Sequence, residues 1–165
     1  MQREQLLELA NAHNTTLIDV GAGPLAVVAA EEFGCEVVCV DIDFEKVRLA
    51  TEDARETGLA ERLLYCVGDG ARLPFTDNSF AVATSYNALH HIPVPLREQF
   101  VEELARVASD TVIIADMGDE RFARTHAEGD HTQVSMTGVC DQLATMGIVT
   151  QHVGPEILAC ICRKG

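Results

Sequence analysis

Leu17-Ile18-Asp19-Val20-Gly21-Ala22-Gly23-Pro24-Leu25-Ala26 decides the fold of this chain, and it begins only sixteen residues in. Strand-type residues run straight into a Gly-x-Gly turn, and an apolar helical pattern follows. Glycines at 21 and 23 allow a sharp turn and a close approach of backbone to ligand. The helix that starts there aims its free N–H groups at whatever occupies the turn. This is the nucleotide-binding end of a Rossmann-like sheet. Gly21-Ala22-Gly23-Pro24-Leu25-Ala26 also fits the G-x-G-x-x-A form of a dinucleotide site, so the turn alone does not choose the ligand.

Downstream, strands and helices alternate. Strands are expected at Thr16–Val20, Glu36–Asp41, Leu63–Val67, Phe80–Ser85 and Thr111–Asp116. The helices between them cover about Leu25 to Phe33, Phe44 to Thr57 and Pro95 to Ala108, with Gly34 and Gly58 as stops for the first two. A first helix spans about Gln2 to His13 and a late one Ser135 to Met146, while Asp119 to His131 reads as a broken helix or a loop. Ile148–Val153 and Ile157–Arg163 are joined only by Gly154-Pro155-Glu156, too short for a helical crossover, so these strands pair antiparallel. The expected fold class is α/β: a Rossmann-like three-layer sandwich with a seven-stranded, mostly parallel sheet and an antiparallel C-terminal strand pair. The 165 residues form one domain. Residues 1–15 are an N-terminal helix, 16–116 the cofactor half, and 117–165 the substrate side and hairpin.

Composition narrows the partners. A net charge of -14 speaks against nucleic acid and against an anionic membrane surface, since both need basic residues, and only two lysines, Lys46 and Lys164, are present. No apolar run reaches membrane-spanning length. The start, Met1-Gln2-Arg3-Glu4-Gln5-Leu6, has acids inside its apolar pattern, unlike a secretory leader, so a cytoplasmic location is expected. The six cysteines (35, 39, 66, 140, 160 and 162) are expected to be reduced, mostly as small buried hydrophobes. No metal is expected, because no second Cys or His pair has zinc-site spacing.

Asp41 ends the second strand, twenty residues after Gly21, where a carboxylate can accept from both ribose hydroxyls of either NAD or S-adenosylmethionine. Three further segments discriminate. Gly68-Asp69-Gly70-Ala71-Arg72-Leu73-Pro74-Phe75 with Ser79-Phe80, then Ser85-Tyr86-Asn87-Ala88-Leu89-His90-His91-Ile92, and then Glu103-Leu104-Ala105-Arg106-Val107 resemble motifs of the class I S-adenosylmethionine-dependent methyltransferases. The resemblance is to the small type 11, UbiE-like group and covers roughly residues 16 to 163. Three departures stand out: Leu25 replaces the third glycine of the turn, Ala81 replaces an aspartate, and Ala108-Ser109-Asp110 replaces a Leu-Lys-Pro-Gly-Gly turn.

The resemblance implies S-adenosylmethionine as cofactor and in-line methyl transfer to an unidentified acceptor. It implies that Asp69, beside Gly70, receives the adenine amino group. Asp41 holds the ribose, Ile42 packs on the adenine, Asp19, Gly21, Ala22 and Gly23 line the methionine portion, and Asn87 lies near the donor methyl. His90 and His91 follow the fourth strand at the carboxyl edge, where a general base or substrate ligand is expected. Tyr86, Asp116, His126 and His131 are further candidates on that edge, Asp116 first among them, and Arg121 and Arg124 could meet an acidic substrate. Only about twenty residues separate Asp116 from the last helix. The expected substrate side is therefore open, with a large acceptor or a second subunit (a homodimer or a partner) to close it. The competing readings are a non-catalytic S-adenosylmethionine-binding regulatory or partner-activating subunit and a nicotinamide-dependent dehydrogenase; the latter needs a substrate domain for which no chain is left.

Overall fold

A computed structural model describes residues 2–126 and 131–165. Seven strands form one sheet: β1 (Thr16–Val20), β2 (Glu36–Asp41), β3 (Leu63–Val67), β4 (Phe80–Tyr86), β5 (Ala108–Met117), β6 (Gly147–Val153) and β7 (Ile157–Lys164). Their order is β3-β2-β1-β4-β5-β7-β6. β1 to β5 run parallel, whereas β7 is antiparallel to both β5 and β6. The reversal of strand order beside β1 opens a crevice at the carboxyl ends of β1 and β4, where ligands of such sheets bind.

The central strands are buried on both faces, as parallel strands must be. Along β1, Leu17 faces a core with Leu6 and Leu7 of α1 (Arg3–Leu9) and Leu25 and Ala29 of α2 (Pro24–Glu31). Ile18 faces the other core, with Phe100 and Leu104 of α4 (Arg97–Val107) and Val139 and Leu143 of α6 (Met136–Leu143). α3 (Phe44–Glu56) begins at Asp43, whose side chain accepts from the Glu45 and Lys46 amides, and it packs beside β3. α5 (Asp119–Thr125) follows β5. Among the described residues, no helix is long and apolar enough to cross a membrane.

Several element ends differ from the sequence expectation for local reasons. α1 stops at Leu9 because Asn11 takes a left-handed conformation, φ 55°. Pro95 lies in a short 3₁₀ turn, Val94–Leu96, and α4 opens two residues later at Arg97. β5 starts at Ala108 because α4 passes into it without a loop. The segment left as broken helix or loop contains α5, and its residues 127–130 lie outside the described residues. The expectation of six reduced cysteines is corrected: Cys140 of α6 and Cys160 of β7 form a disulfide, with Cα atoms 5.7 Å apart. Their pairing depends on α6 crossing β7, which residues twenty apart do not announce.

The loop after β3 is fastened to α4 by one cation. The Arg106 guanidinium donates to the Phe75 and Leu73 carbonyls (2.7 and 3.1 Å), to Asp77 (2.9 Å) and to both Glu103 oxygens (2.7 and 2.8 Å). Glu103 in turn accepts from the Leu73 amide at 2.7 Å. The Leu73-Pro74-Phe75 and Glu103-to-Arg106 segments are thus two halves of one clasp. Arg106→Ala should cost about 1–3 kcal/mol and lower Tm by several degrees, because part-buried carbonyls lose a charged donor. A thermal melt checks this, and an unchanged Tm would show the clasp to be dispensable.

Candidate active site

The Gly-x-Gly turn is held by β2. The Gly21 amide donates to the Val40 carbonyl at 2.8 Å, and the Ala22 amide to Asp41 Oδ2 at 2.7 Å. Asp41 Oδ1 accepts from the Asp43 amide at 2.9 Å. Asp41 therefore fixes the turn while its remaining lone pairs face the crevice. Gly21 has φ +112°, and a Cβ there would lie 2.8 Å from the Ala88 side chain, so the turn after β1 and the loop after β4 touch only because this residue is glycine.

A cavity of about 270 Å³ opens at this point. It brings together Gly21, Asp41, Ile42, Asp69 and Gly70 of the expected cofactor set, with His91 on its wall. Ile42 is 74% exposed, an apolar surface free to take a flat ring. Asp69 is exposed, and its Oδ1 accepts from the Ala71 amide at 2.9 Å. Lys46, Ala88, Ile92 and Phe100 also line the cavity and were not singled out from sequence. Phe100 belongs to the ordinary apolar stripe of α4, so nothing local distinguishes it. Gly70 forms part of the cradle: a Cβ would meet Phe100 Cε2 at 2.5 Å and Val20 Cγ1 at 2.7 Å, both on buried side chains. Gly70→Ala should cost about 1–3 kcal/mol through overpacking and displace Phe100 into the cavity. Calorimetry should then show weaker nucleoside binding alongside a lower Tm; unchanged affinity would remove Gly70 from the cradle.

The other expected residues lie around this cavity without lining it. Ala22 and Gly23 line a neighbouring cavity of about 420 Å³ between α2 and α3. Asp19 is 1% exposed beneath the turn, where its Oδ1 accepts from Thr84 Oγ1 at 2.7 Å. Burial pushes its carboxyl up to about 7, with the Thr84 and Ala26 hydrogen bonds opposing. Asn87 has φ 55°, its amide donates to the Ala115 carbonyl at 2.8 Å, and its side-chain Oδ1 is buried without a partner. Ser85 Oγ is orphaned too. Two unsatisfied polar atoms at the end of β4 are expensive unless a ligand reaches them. Leu25, standing where relatives have a third glycine, is buried in the core under α2 and takes no room from the cavity.

His90 is 2% exposed, and its Nδ1 lies 2.7 Å from Asp116 Oδ1. Its main-chain amide donates to Asp116 Oδ2 at 3.1 Å. His91 reaches solvent at one edge, and partial burial, then the nearby His90, His131, Lys46 and His126, push its imidazole down to about 4. His126 is also lowered, by desolvation first and by His90 and His131 next. Asp116, His126 and His131 thus join the two expected histidines. Tyr86 stands apart, beneath the Arg3 guanidinium at 5.0 Å. Arg124 pairs with Glu156 at 2.7 Å.

Comparison with known proteins gives the family and the fold. Residues 18–111 match a family model described as a methyltransferase domain. Norajmaline N-methyltransferase of Rauvolfia serpentina is 29% identical over 151 residues, covering 89% of this chain and 46% of that protein. Methyltransferase GfsG of Streptomyces halstedii is 26% identical over 106 residues, covering 64% of this chain and 37% of that protein. The chain thus spans less than half the length of these relatives. Among solved structures, a SAM-dependent methyltransferase from Aquifex aeolicus superposes with a TM-score of 0.73 at 22% identity, covering 99% of this chain and 90% of that one. A magnesium protoporphyrin IX methyltransferase from Synechocystis PCC 6803, solved with bound SAH, gives 0.76 at 14%, covering 99% and 80%. With the family match spanning more than half of its length, and the end of β1, the glycine turn and the Asp41 and Asp69 loops inside the matched region, the chain belongs to the methyltransferase domain family.

Proposed function

We propose that the protein transfers a methyl group from S-adenosylmethionine to an acceptor entering at the carboxyl edge of β4 and β5. One observation carries the reading: three acidic residues, Asp41, Asp43 and Asp69, line a single glycine-floored cavity whose basic lining residues are Lys46 and His91. Two ribose hydroxyls and an adenine amino group are all donors and want carboxylates. A dinucleotide pyrophosphate wants cationic or amide donors instead. S-adenosylmethionine, when bound, supplies an electrophilic methyl group on a sulfonium. The residues then have to hold the nucleoside (Asp41, Asp69, Ile42), present the backbone of Gly21 and Ala22 to the methionine portion, and satisfy the orphaned Asn87 oxygen. For an acceptor that must lose a proton, His90 and His91 are the bases offered at this edge.

The acceptor side is completed by the acceptor itself or by a second subunit, which the open carboxyl edge favours. Size-exclusion chromatography that found a monomer turning over a small substrate would remove that part. The cofactor is tested by titrating the protein with S-adenosylmethionine and S-adenosylhomocysteine, with NAD as comparison. Micromolar binding of the first two and none of NAD is expected; preference for NAD would overturn the reading.

A further inference from the structure

Four of the six histidines meet at one point of the carboxyl edge. His90 and His91 come from the 3₁₀ turn after β4, His126 from the end of α5, and His131 from the approach to α6. Ring centroids are 4.0 Å apart for His90 and His91, 4.9 Å for His90 and His126, and 4.6 Å for His131 with both His91 and His126. The remaining pairs, His90 with His131 and His91 with His126, stand at 5.9 and 6.0 Å. Four imidazoles around one tetrahedral ion, with nitrogens at about 2.0–2.1 Å from the metal, would place their centroids roughly 5 Å apart.

Three features turn this proximity into a site. Asp116 holds His90 through Nδ1 at 2.7 Å, which leaves Nε2 as the free nitrogen, and that nitrogen is buried without a partner. A carboxylate behind a histidine is the usual outer support of a metal ligand. His126 Nε2 is likewise buried and has no partner among the described residues. The segments carrying His90, His91 and His131 are clamped together by Arg97, which donates to the carbonyls of His90 (3.3 Å) and Ile92 (3.0 Å) on one side and of Gln133 (2.9 Å) and Thr132 on the other. Among the described residues no three ligand atoms yet converge on one point, so loading requires the rings to turn about their side-chain torsions on this clamped backbone.

We propose that His90, His91, His126 and His131 bind one divalent transition-metal ion of the zinc type and thereby fasten the end of α5 to the loop after β4. An all-imidazole set favours zinc, cobalt, nickel or copper over magnesium and calcium. Four protein ligands make a closed, structural site rather than an open catalytic one. The inference goes beyond methyl transfer: His90 and His91 are ligands in the metal-loaded form, and proton acceptance by them belongs to the metal-free form. It departs from the expectation of no metal.

Tag-free protein, stripped with chelator, is titrated with Zn²⁺ near neutral pH, and with Co²⁺ for its visible tetrahedral absorption. One equivalent of zinc, a Co²⁺ spectrum displaced by zinc, and a higher Tm on loading are expected. Loss of an outer partner alone costs 10–100-fold in metal affinity, so His131→Ala and His126→Ala should each weaken zinc on the order of 100-fold. His131 is exposed and His126 only half-buried, so both variants should keep the metal-free Tm. Absence of stoichiometric zinc, or wild-type zinc affinity in both variants, would overturn the site. S-adenosylhomocysteine is titrated into the same stripped sample. Its binding without zinc binding rejects the metal alone, and the converse rejects the cofactor alone.

Discussion

Asp41→Ala should weaken S-adenosylhomocysteine binding by about 100-fold or more, a loss of roughly 2.7 kcal/mol. Two effects add. The ribose loses its carboxylate acceptor, and hydrogen bonds to a charged group are worth about 1.5–3 kcal/mol. The glycine turn also loses its anchor, because Asp41 Oδ2 accepts from the Ala22 amide at 2.7 Å. Asparagine is no harmless control here: its NH₂ would face either the Ala22 or the Asp43 amide, both of which donate to the carboxylate. Isothermal calorimetry with parallel circular dichroism separates affinity from folding. Wild-type affinity in a folded Asp41→Ala variant would place the ribose elsewhere.

The second large effect is on the pH dependence of stability. Asp19 is buried and carries a carboxyl raised from 3.8 to about 7, so the folded protein keeps a proton that the unfolded chain releases near pH 4. The sign follows: stability from this group is full below about pH 4, falls as pH rises toward 7, and is gone above it. At about 1.4 kcal/mol per unit the span is about 2–4 kcal/mol, allowing for relaxation. Asp19→Asn cannot titrate. Chemical denaturation at pH 4.5 and pH 8 should therefore show the variant's stability relative to wild type improving by that amount at the higher pH. Using the change between two pH values cancels any fixed cost of the amide beside the Ala26 and Thr84 donors. Parallel curves would mean that Asp19 ionises normally.

The alternating architecture was legible because apolar runs of strand length alternate with helical patterns. β1, β2 and β3 fall on their expected residues, 16–20, 36–41 and 63–67. The antiparallel β6–β7 pair followed from a link of three residues. Asp41 could be picked out because it ends a strand twenty residues after the glycine turn, and Asp69 because its segment resembles a methyltransferase motif. Other facts depended on helices meeting strands far away in sequence. Phe100 became a cavity wall only when α4 packed across β4 and β5. Cys140 reached Cys160 only through the α6–β7 crossing. His90 and His126, thirty-six positions apart, met only after α5 folded back over the loop after β4. Local sequence encodes which residues turn, extend or coil, because those preferences act between near neighbours. Distances between side chains from separate elements are set by packing, and that is why the cavity-lining carboxylates and the individual histidines could be named from the chain while the approach of the four imidazoles to one another had to be seen in the fold.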